Sequence, residues 1–492
     1  MSHCLDIDAL RVETVPKAYD DPFKVTLDDE NDQFSPRNLP SLRKWRLVFT
    51  VCAAIICVTC TSSIYSTTYA QLNRGFAATK VTCALGLSTF VLGIALGGLI
   101  TGPLSENFGR RRIYLVSWSM FMIWTIPSAV AQNMTTLITT RLFGGFFGST
   151  FLSVAGGTVA DIFAHDQLQK PMLFVSLAPF VGPACGPLVG GFINSHLHWR
   201  WTYYIILIWS SIILVAVALM PETFHPLICI SKAQKLRMET SDHHYRASAE
   251  KKSTACRRTT SLVLLRPFQL LFLEPMCLCL NIYSAILLGI LYIFFGTLPQ
   301  IFRTNHGMNL WQSGLIFLAI IVGMLLGVAT SPIWVRIRSW LISRHQIETG
   351  VSKRSEPEYR LPPMMAGGVL IPIGLFWFAW TTQESIHWIV PVLACLVFGL
   401  GVNLVFNGIF TFLVEAYSQF AASALASNSF ATAFLAAAFP LVQIPMFDRL
   451  GFHWGISVLA FLTMAMIPFP WLFFKYGKSL RSKSRFATSS QG

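Results

Sequence analysis

Charge is scarce in this 492-residue chain: Asp, Glu, Lys and Arg make up 12% against 53% hydrophobic residues, roughly half the charge of an average globular domain. That composition, with a mean hydropathy of +0.56, excludes a soluble enzyme. Acid is scarcer than base, with 23 Asp and Glu against 37 Lys and Arg. No acid or histidine lies well inside any long apolar run, which removes the nucleophile-and-base sets of a membrane enzyme and the ligands of a metal site. The 11 cysteines are odd in number and none falls in a segment read below as external, which argues against a disulfide framework. The CLC run at Cys277 and Cys279 reads as packed or lipid-facing surface.

What is present is long apolar runs. A helix needs about 20 apolar residues to cross the hydrocarbon core, and twelve segments reach that size: 46–66, 82–104, 113–132, 135–160, 171–193, 199–219, 276–300, 311–335, 361–381, 386–413, 421–446 and 452–475. They are too long for membrane β-strands, so the fold class is an all-α membrane protein of twelve transmembrane helices. The net charge of +14 invites a nucleic-acid reading, but position decides otherwise. Only Arg74, Lys80, Arg200, Arg303 and Arg449 fall on one side of the twelve-span arrangement, Arg141 lies within a span, and every other Lys and Arg falls on the opposite side. This asymmetry predicts that both termini are cytoplasmic and that no nucleic acid is bound.

Residues 1–45 carry nine acids and little apolar periodicity, which predicts a disordered cytoplasmic tail without a cleavable signal. Residues 46–220 and 276–475 form two groups of six spans, divided by a basic loop at 221–275 and followed by a short tail at 476–492. Two pseudo-symmetric six-helix halves are the expected architecture. The arginines after span 8 (Arg336, Arg338, Arg344, with Lys353 and Arg354) echo the trio Arg110, Arg111 and Arg112 after span 2. Asn133-Met-Thr135 is a glycosylation sequon in a very short external loop.

Two motifs stand out. GPLSENFGRRR joins spans 2 and 3, with Gly102 and Gly109 expected to allow bending and close approach, and with Glu106 beside the arginines. In span 5, PFVGPACGPLVGG spaces Gly182, Gly186 and Gly190 four apart, with Pro183 and Pro187 between them, predicting a smooth face for another backbone. These motifs resemble signatures of the major facilitator superfamily and, for span 5, of its drug:proton antiporter branch. HWRWTYYI at His198, PETF at Pro221, RPFQLLFLEP at Arg266 and VEAYSQFAASALASNSF at Val414 further resemble fungal twelve-span multidrug and polyamine exporters. Glu415 in VEAY stands where the family more often has aspartate.

The resemblance implies secondary transport: a monomer in the plasma membrane that exports small amphipathic molecules by alternating access, without a cofactor, driven by a proton gradient. An importer or a polyamine or nutrient transporter on the same fold is the alternative. Arg141 in LITTRLFGG, with Gly145 four residues on, matches the family's span 4 arginine, implying a part in proton coupling or in drawing anionic groups; a packing role is the competing reading. Arginine does not release its proton in proteins, so a carboxylate must. Glu106, Asp161 and Glu222 are the candidates, and the resemblance places Glu106, Asp161, Arg110 and Arg111 in a network that holds the inner gate closed. Tyr65, Tyr283, Tyr292, Asn403, Asn407 and Asn428 are the candidate lining of a mid-membrane substrate cavity. The absence of carboxylates there disfavours a polycation.

Overall fold

The computed structural model describes residues 23–25, 32, 34–163, 167–242, 244–247, 266–349, 356–417, 420–482 and 484. Ten stretches among them are long and apolar enough to cross a membrane. One of these, Ala421–Arg481, is 61 residues long, about 90 Å at 1.5 Å per residue and three times the hydrocarbon thickness. It therefore crosses twice, and the chain reverses at Gly451, whose φ of 70° breaks the helix. Arg110–Ala129, with three arginines in its first turn, adds a further crossing and brings the number to twelve.

Spans 1 to 6 are Ser41–Ile64, Lys80–Phe108, Arg110–Ala129, Met134–Ile162 with a break near Ser149, Gln169–His196 and Arg200–Ala218. Spans 7 to 10 are Pro275–His306, Leu310–Ala329 running on into Ser331–Thr349, Pro362–Thr381 and Ile389–Ala416. Spans 11 and 12 take Ala421–Ala436, Phe439–Ala465 and Pro468–Ser482. The face on which span 1 begins and span 12 ends is called the terminal face below.

The turn between spans 2 and 3 is tighter than the sequence predicts. Span 2 stays helical through Phe108 and span 3 begins at Arg110, so the reversal is made by Gly109 alone, at φ 91°. Left-handed backbone of this kind suits glycine, and a Cβ there would also come within 2.6 Å of Glu222 Oε2 and Leu227 Cδ1. Gly102, expected to permit close approach, has open space around it instead. Its neighbour Pro103 sits inside the helix without ending it.

The span 5 glycines do form a smooth face, and span 1 is what lies on it. A Cβ at Gly186 would reach 2.6 Å from the backbone nitrogen of Ile64, and one at Gly190 2.5 Å from Thr67 Oγ1. Pro179, Pro183 and Pro187 all lie within the unbroken helix Gln169–His196. Gly145 does the same work elsewhere, letting span 4 rest on the backbone of Phe90 in span 2.

The halves meet through spans 5 and 8, 2 and 11, and 1 and 7. Away from the terminal face, Gly191 packs on Leu310 and Gly314 while Phe192 lies 5.8 Å from Trp311. At greater depth Phe180 of span 5 meets Phe406 of span 10 at 4.4 Å. One core fills the first half around Tyr114, Trp118 and Phe151; the other fills the second half and reaches across to Tyr65, Leu87 and Val91.

The first 45 residues are organised where they are described, which corrects the expectation of a wholly disordered tail. Span 1 already begins at Ser41, and Lys24–Val25 pairs in parallel with Arg246–Ala247 of the central loop. Asp32 holds Lys232 at 2.6 Å, and Lys235 lies over the Phe34 ring at 5.2 Å. Both lysines belong to a helix, His225–Thr240, within the basic loop. Val25, Ala233 and Ala247 provide the small apolar contact that this clasp closes over. Lys353 and Arg354 lie outside the described residues.

Candidate functional site

Arg141 is 2% exposed and wholly inside the first half. Its Nε donates to the carbonyl of Gly86 at 2.7 Å, and its Nη2 donates to the carbonyls of Thr61 and Ser62 at 3.3 and 3.0 Å. Nη1 reaches the Tyr203 hydroxyl at 3.4 Å. The guanidinium faces are covered by the rings of Tyr65 and Phe90, at 4.1 and 4.8 Å. Span 1 supplies carbonyls here because its α-helix stops at Ile64 and tightens into the 3-10 turn Tyr65–Thr68, freeing acceptors as helix ends do. Among the described residues, no carboxylate partners Arg141. Its charge is accommodated by carbonyl dipoles and aromatic faces.

This cluster touches the other half. The Ser62 hydroxyl, on the residue whose carbonyl Arg141 binds, lies 3.0 Å from the Tyr292 hydroxyl of span 7. Tyr65 and Tyr292, both candidates for the lining of the substrate cavity, therefore join one buried assembly with Arg141. Tyr65 is 1% exposed and its hydroxyl has no hydrogen-bond partner; the same is true of the Tyr283 hydroxyl and of Asn403 Oδ1. Ser88, Thr297 and Thr432 add further buried hydroxyls without partners. These orphans sit on spans 1, 2, 7, 10 and 11, and spans 1, 2, 7 and 11 also pack against the opposite half.

Asn428 does not belong with them. Its Nδ2 donates to Asn281 Oδ1 at 2.9 Å and to Ser284 Oγ at 3.0 Å, and Asn281 in turn donates to Ser427 Oγ at 3.1 Å. All four residues are at most 1% exposed. This is a closed polar bolt between spans 7 and 11, and it corrects the placement of Asn428 on the cavity wall. Asn281 and Ser284 were visible as polar residues in the apolar run CLCLNIYSA. Asn407 is half-buried, with its carbonyl accepting from Thr411 at 2.8 Å.

At the terminal face, Arg110 Nε pairs with Asp161 Oδ2 at 3.3 Å, its Nη1 donates to Ser105 Oγ at 2.5 Å, and its guanidinium lies 5.0 Å from the Phe224 ring. Gly157 leaves room for it, since a Cβ there would stand 2.7 Å from Nη2. Glu222 serves differently. Its carboxylate accepts from the backbone N–H groups of Arg110, Arg111, Thr223 and Phe224, at 2.9, 3.2, 3.1 and 3.0 Å, capping the N-terminus of span 3. Arg111 closes the arrangement by donating to the carbonyl of Ala218 at 2.8 Å.

Glu106, expected in this network, is exposed and outside it. The helix that continues to Phe108 turns Glu106 away from Arg110, and Glu222 occupies the carboxylate position instead. The ion pairs also tie together spans of one half: Arg110 and Asp161 both belong to the first half.

The second half repeats the arrangement with different members. Glu415 Oε1 accepts from Arg338 Nη2 at 2.7 Å and from Arg360 Nη2 at 2.6 Å. Arg481 donates from Nε and Nη2 to the two oxygens of Glu358, both at 2.8 Å, in a pair only 6% and 4% exposed. Arg338 bears out the predicted echo, while Arg336 is exposed and Arg344 lies over Trp340 at 5.5 Å. Asn133 is exposed and caps span 4, its Oδ1 accepting from the Thr136 N–H at 2.7 Å.

The model of the Major Facilitator Superfamily matches residues 51–440. The efflux pump atB of Aspergillus terreus is 46% identical over 473 residues, covering 96% of this chain and 91% of its own. The probable drug/proton antiporter YHK8 of Saccharomyces cerevisiae is 34% identical, covering 98% and 93%. Among solved structures, the xylose transporter XylE from E. coli, in a partially occluded inward-open conformation, is 15% identical with a TM-score of 0.62, over 87% of this chain and 99% of that one. Twelve helical spans, the Gly109 turn with its arginines, the span 5 glycine face and these likenesses together establish that the chain belongs to the major facilitator superfamily.

Proposed function

We propose that this protein exports small amphipathic drugs, toxins or secondary metabolites in exchange for protons, by alternating access between its two halves. It does so as a monomer in the plasma membrane, with the terminal face toward the cytoplasm, on which side nearly all the Lys and Arg residues fall. Names of relatives that refer to efflux and to drug/proton antiport support the direction and the coupling ion. No cofactor takes part; the proton gradient supplies the energy.

The observation that carries the coupling is the Arg110–Asp161 pair. Glu222 is engaged by four backbone donors as a helix cap, and Glu106 stands in solvent. Asp161 is the remaining candidate, a half-buried carboxylate held by one guanidinium that it shares with Ser105. Protonating Asp161 removes half of that pair and frees Arg110, loosening the junction of spans 2, 3 and 4 where the chain turns at Gly109. On the other side of the membrane, outward opening must part spans 1 and 7, which breaks the Ser62–Tyr292 contact and exposes the Arg141 cluster.

The test is efflux of a fluorescent drug from intact cells with and without a protonophore, compared between the wild type and Asp161→Asn. Collapse of efflux on adding the protonophore, and its loss in the variant, is the expected result. Efflux indifferent to the protonophore would overturn the antiport mechanism. Accumulation of drug that falls when the protein is deleted would identify an importer.

A further inference from the structure

Arg141 differs from the buried guanidiniums of Arg110 and Arg481, each of which faces a carboxylate at the terminal face. Among the described residues no acid pairs with it: its partners are three carbonyls, one phenol and two aromatic faces. Carbonyl dipoles solvate a cation locally but leave its net charge acting on the surroundings. In a dry interior that field is screened far less than in water. Around it gather hydroxyl groups that can donate hydrogen bonds: Tyr65, buried and unpartnered among the described residues, and Tyr292, which meets Ser62. Both lie where spans 1 and 7 of opposite halves meet. A cationic ligand arriving there would meet a like charge and find no acid to offset it. An anion would meet a fixed positive charge and a free phenolic donor, the pairing that holds buried charges in proteins.

We propose, building on the export reading above, that the transported substrate is an organic monoanion, a carboxylate, sulfonate or phenolate on an aromatic body. The charge of Arg141 draws it to the junction of spans 1 and 7, and the Tyr65 hydroxyl donates a hydrogen bond to its anionic oxygen. Arg141 acts through its field and through the ring of Tyr65 that it stacks on, as a positioning and selecting residue.

The experiment uses the full chain reconstituted in proteoliposomes and two membrane-impermeant probes of similar ring size, 1-naphthalenesulfonate as a permanent anion and 1-methylquinolinium as a permanent cation. The wild type should transport the anion at least tenfold faster. Arg141→Gln should bring the two rates within about threefold of each other, whereas Arg141→Lys should keep the preference. Tyr65→Phe, which removes a single oxygen and leaves the ring in place, should raise KM for the anion three- to tenfold and leave the cation's unchanged; it decides the matter should Arg141→Gln fail to fold. Faster transport of the cation, or an intact anion preference in a folded Arg141→Gln or in Tyr65→Phe, overturns the anion proposal and leaves export standing. Transport of neither probe by folded protein overturns it together with the export reading.

Discussion

The two halves carry a charged cluster at the same place, where spans 2 and 3 in one half and spans 8 and 9 in the other approach the ends of spans 4 and 10 at the terminal face. They balance it differently. In the first half one guanidinium, Arg110, serves Asp161 at 3.3 Å, while Glu222 is consumed in capping a helix. In the second, two guanidiniums, Arg338 and Arg360, converge on Glu415 at 2.7 and 2.6 Å, and a bidentate pair, Arg481 with Glu358, anchors the end of span 12. Removing one proton-accepting site from the first cluster leaves the Arg110 guanidinium held by Ser105 and the face of Phe224. The second has redundancy. On the coupling proposed above, switching belongs to the first half and bracing to the second.

The comparison breaks most visibly at the buried brace. Glu358→Ala takes from the buried Arg481 guanidinium its bidentate carboxylate, which costs about 3–5 kcal/mol and should lower the thermal midpoint of the purified protein more than any other single change at the terminal face. Asp161→Asn should do the reverse. It is expected to cut protonophore-sensitive efflux at least 30-fold, about 2 kcal/mol of coupling, with a thermal midpoint close to wild type. A loss of stability in Asp161→Asn equal to that in Glu358→Ala would place bracing in both halves and end the division of labour. Smaller still is Glu415→Gln, which leaves two like charges facing each other at a partly hydrated site. A loss of about 1 kcal/mol of stability and transport within threefold of wild type are expected, and a 30-fold transport defect there would move the switch to the second half.

Much of this was legible before the structure. Hydropathy delivers the spans because a lipid-facing helix cannot conceal its composition. The glycine face of span 5 and the buried Arg141 follow from spacing and from the cost of a charge in a bilayer. Glu106 was misplaced because a turn motif does not reveal how far the preceding helix continues, and helical phase decides which way a side chain faces. Asn428 was misplaced because a polar residue in a span satisfies itself equally well on a neighbouring helix, here through Asn281 and Ser284, as on a substrate. The pairs of the second half were out of reach altogether. Arg481 and Glu358 stand 123 residues apart, and Arg338 and Glu415 stand 77 apart, so only the folded arrangement joins them.

The tail clasp supplies the finest test of the comparison, because Asp32, on the segment before span 1, ties the first half to the basic linker through its carboxylate. Burial pushes the Asp32 carboxyl upward, but the hydrogen bond from Lys232, that from the Phe34 N–H and the Lys232 charge outweigh it, so it sits below the usual carboxylate range. A folded-state value below the unfolded one means that the contribution to docking is fully present above the unfolded value of about 4 and disappears as pH falls through the lower folded value. The clasp therefore stays shut across the range in which efflux is measured. A distance between spin labels at Asn38 and Glu239 should stay constant from pH 8 to pH 5 and lengthen only below about pH 4, with Asp32→Asn lengthened throughout. If the distance instead followed the pH dependence of efflux, the tail would be part of the proton switch, and the first half would owe its mobility to the linker as well as to Asp161.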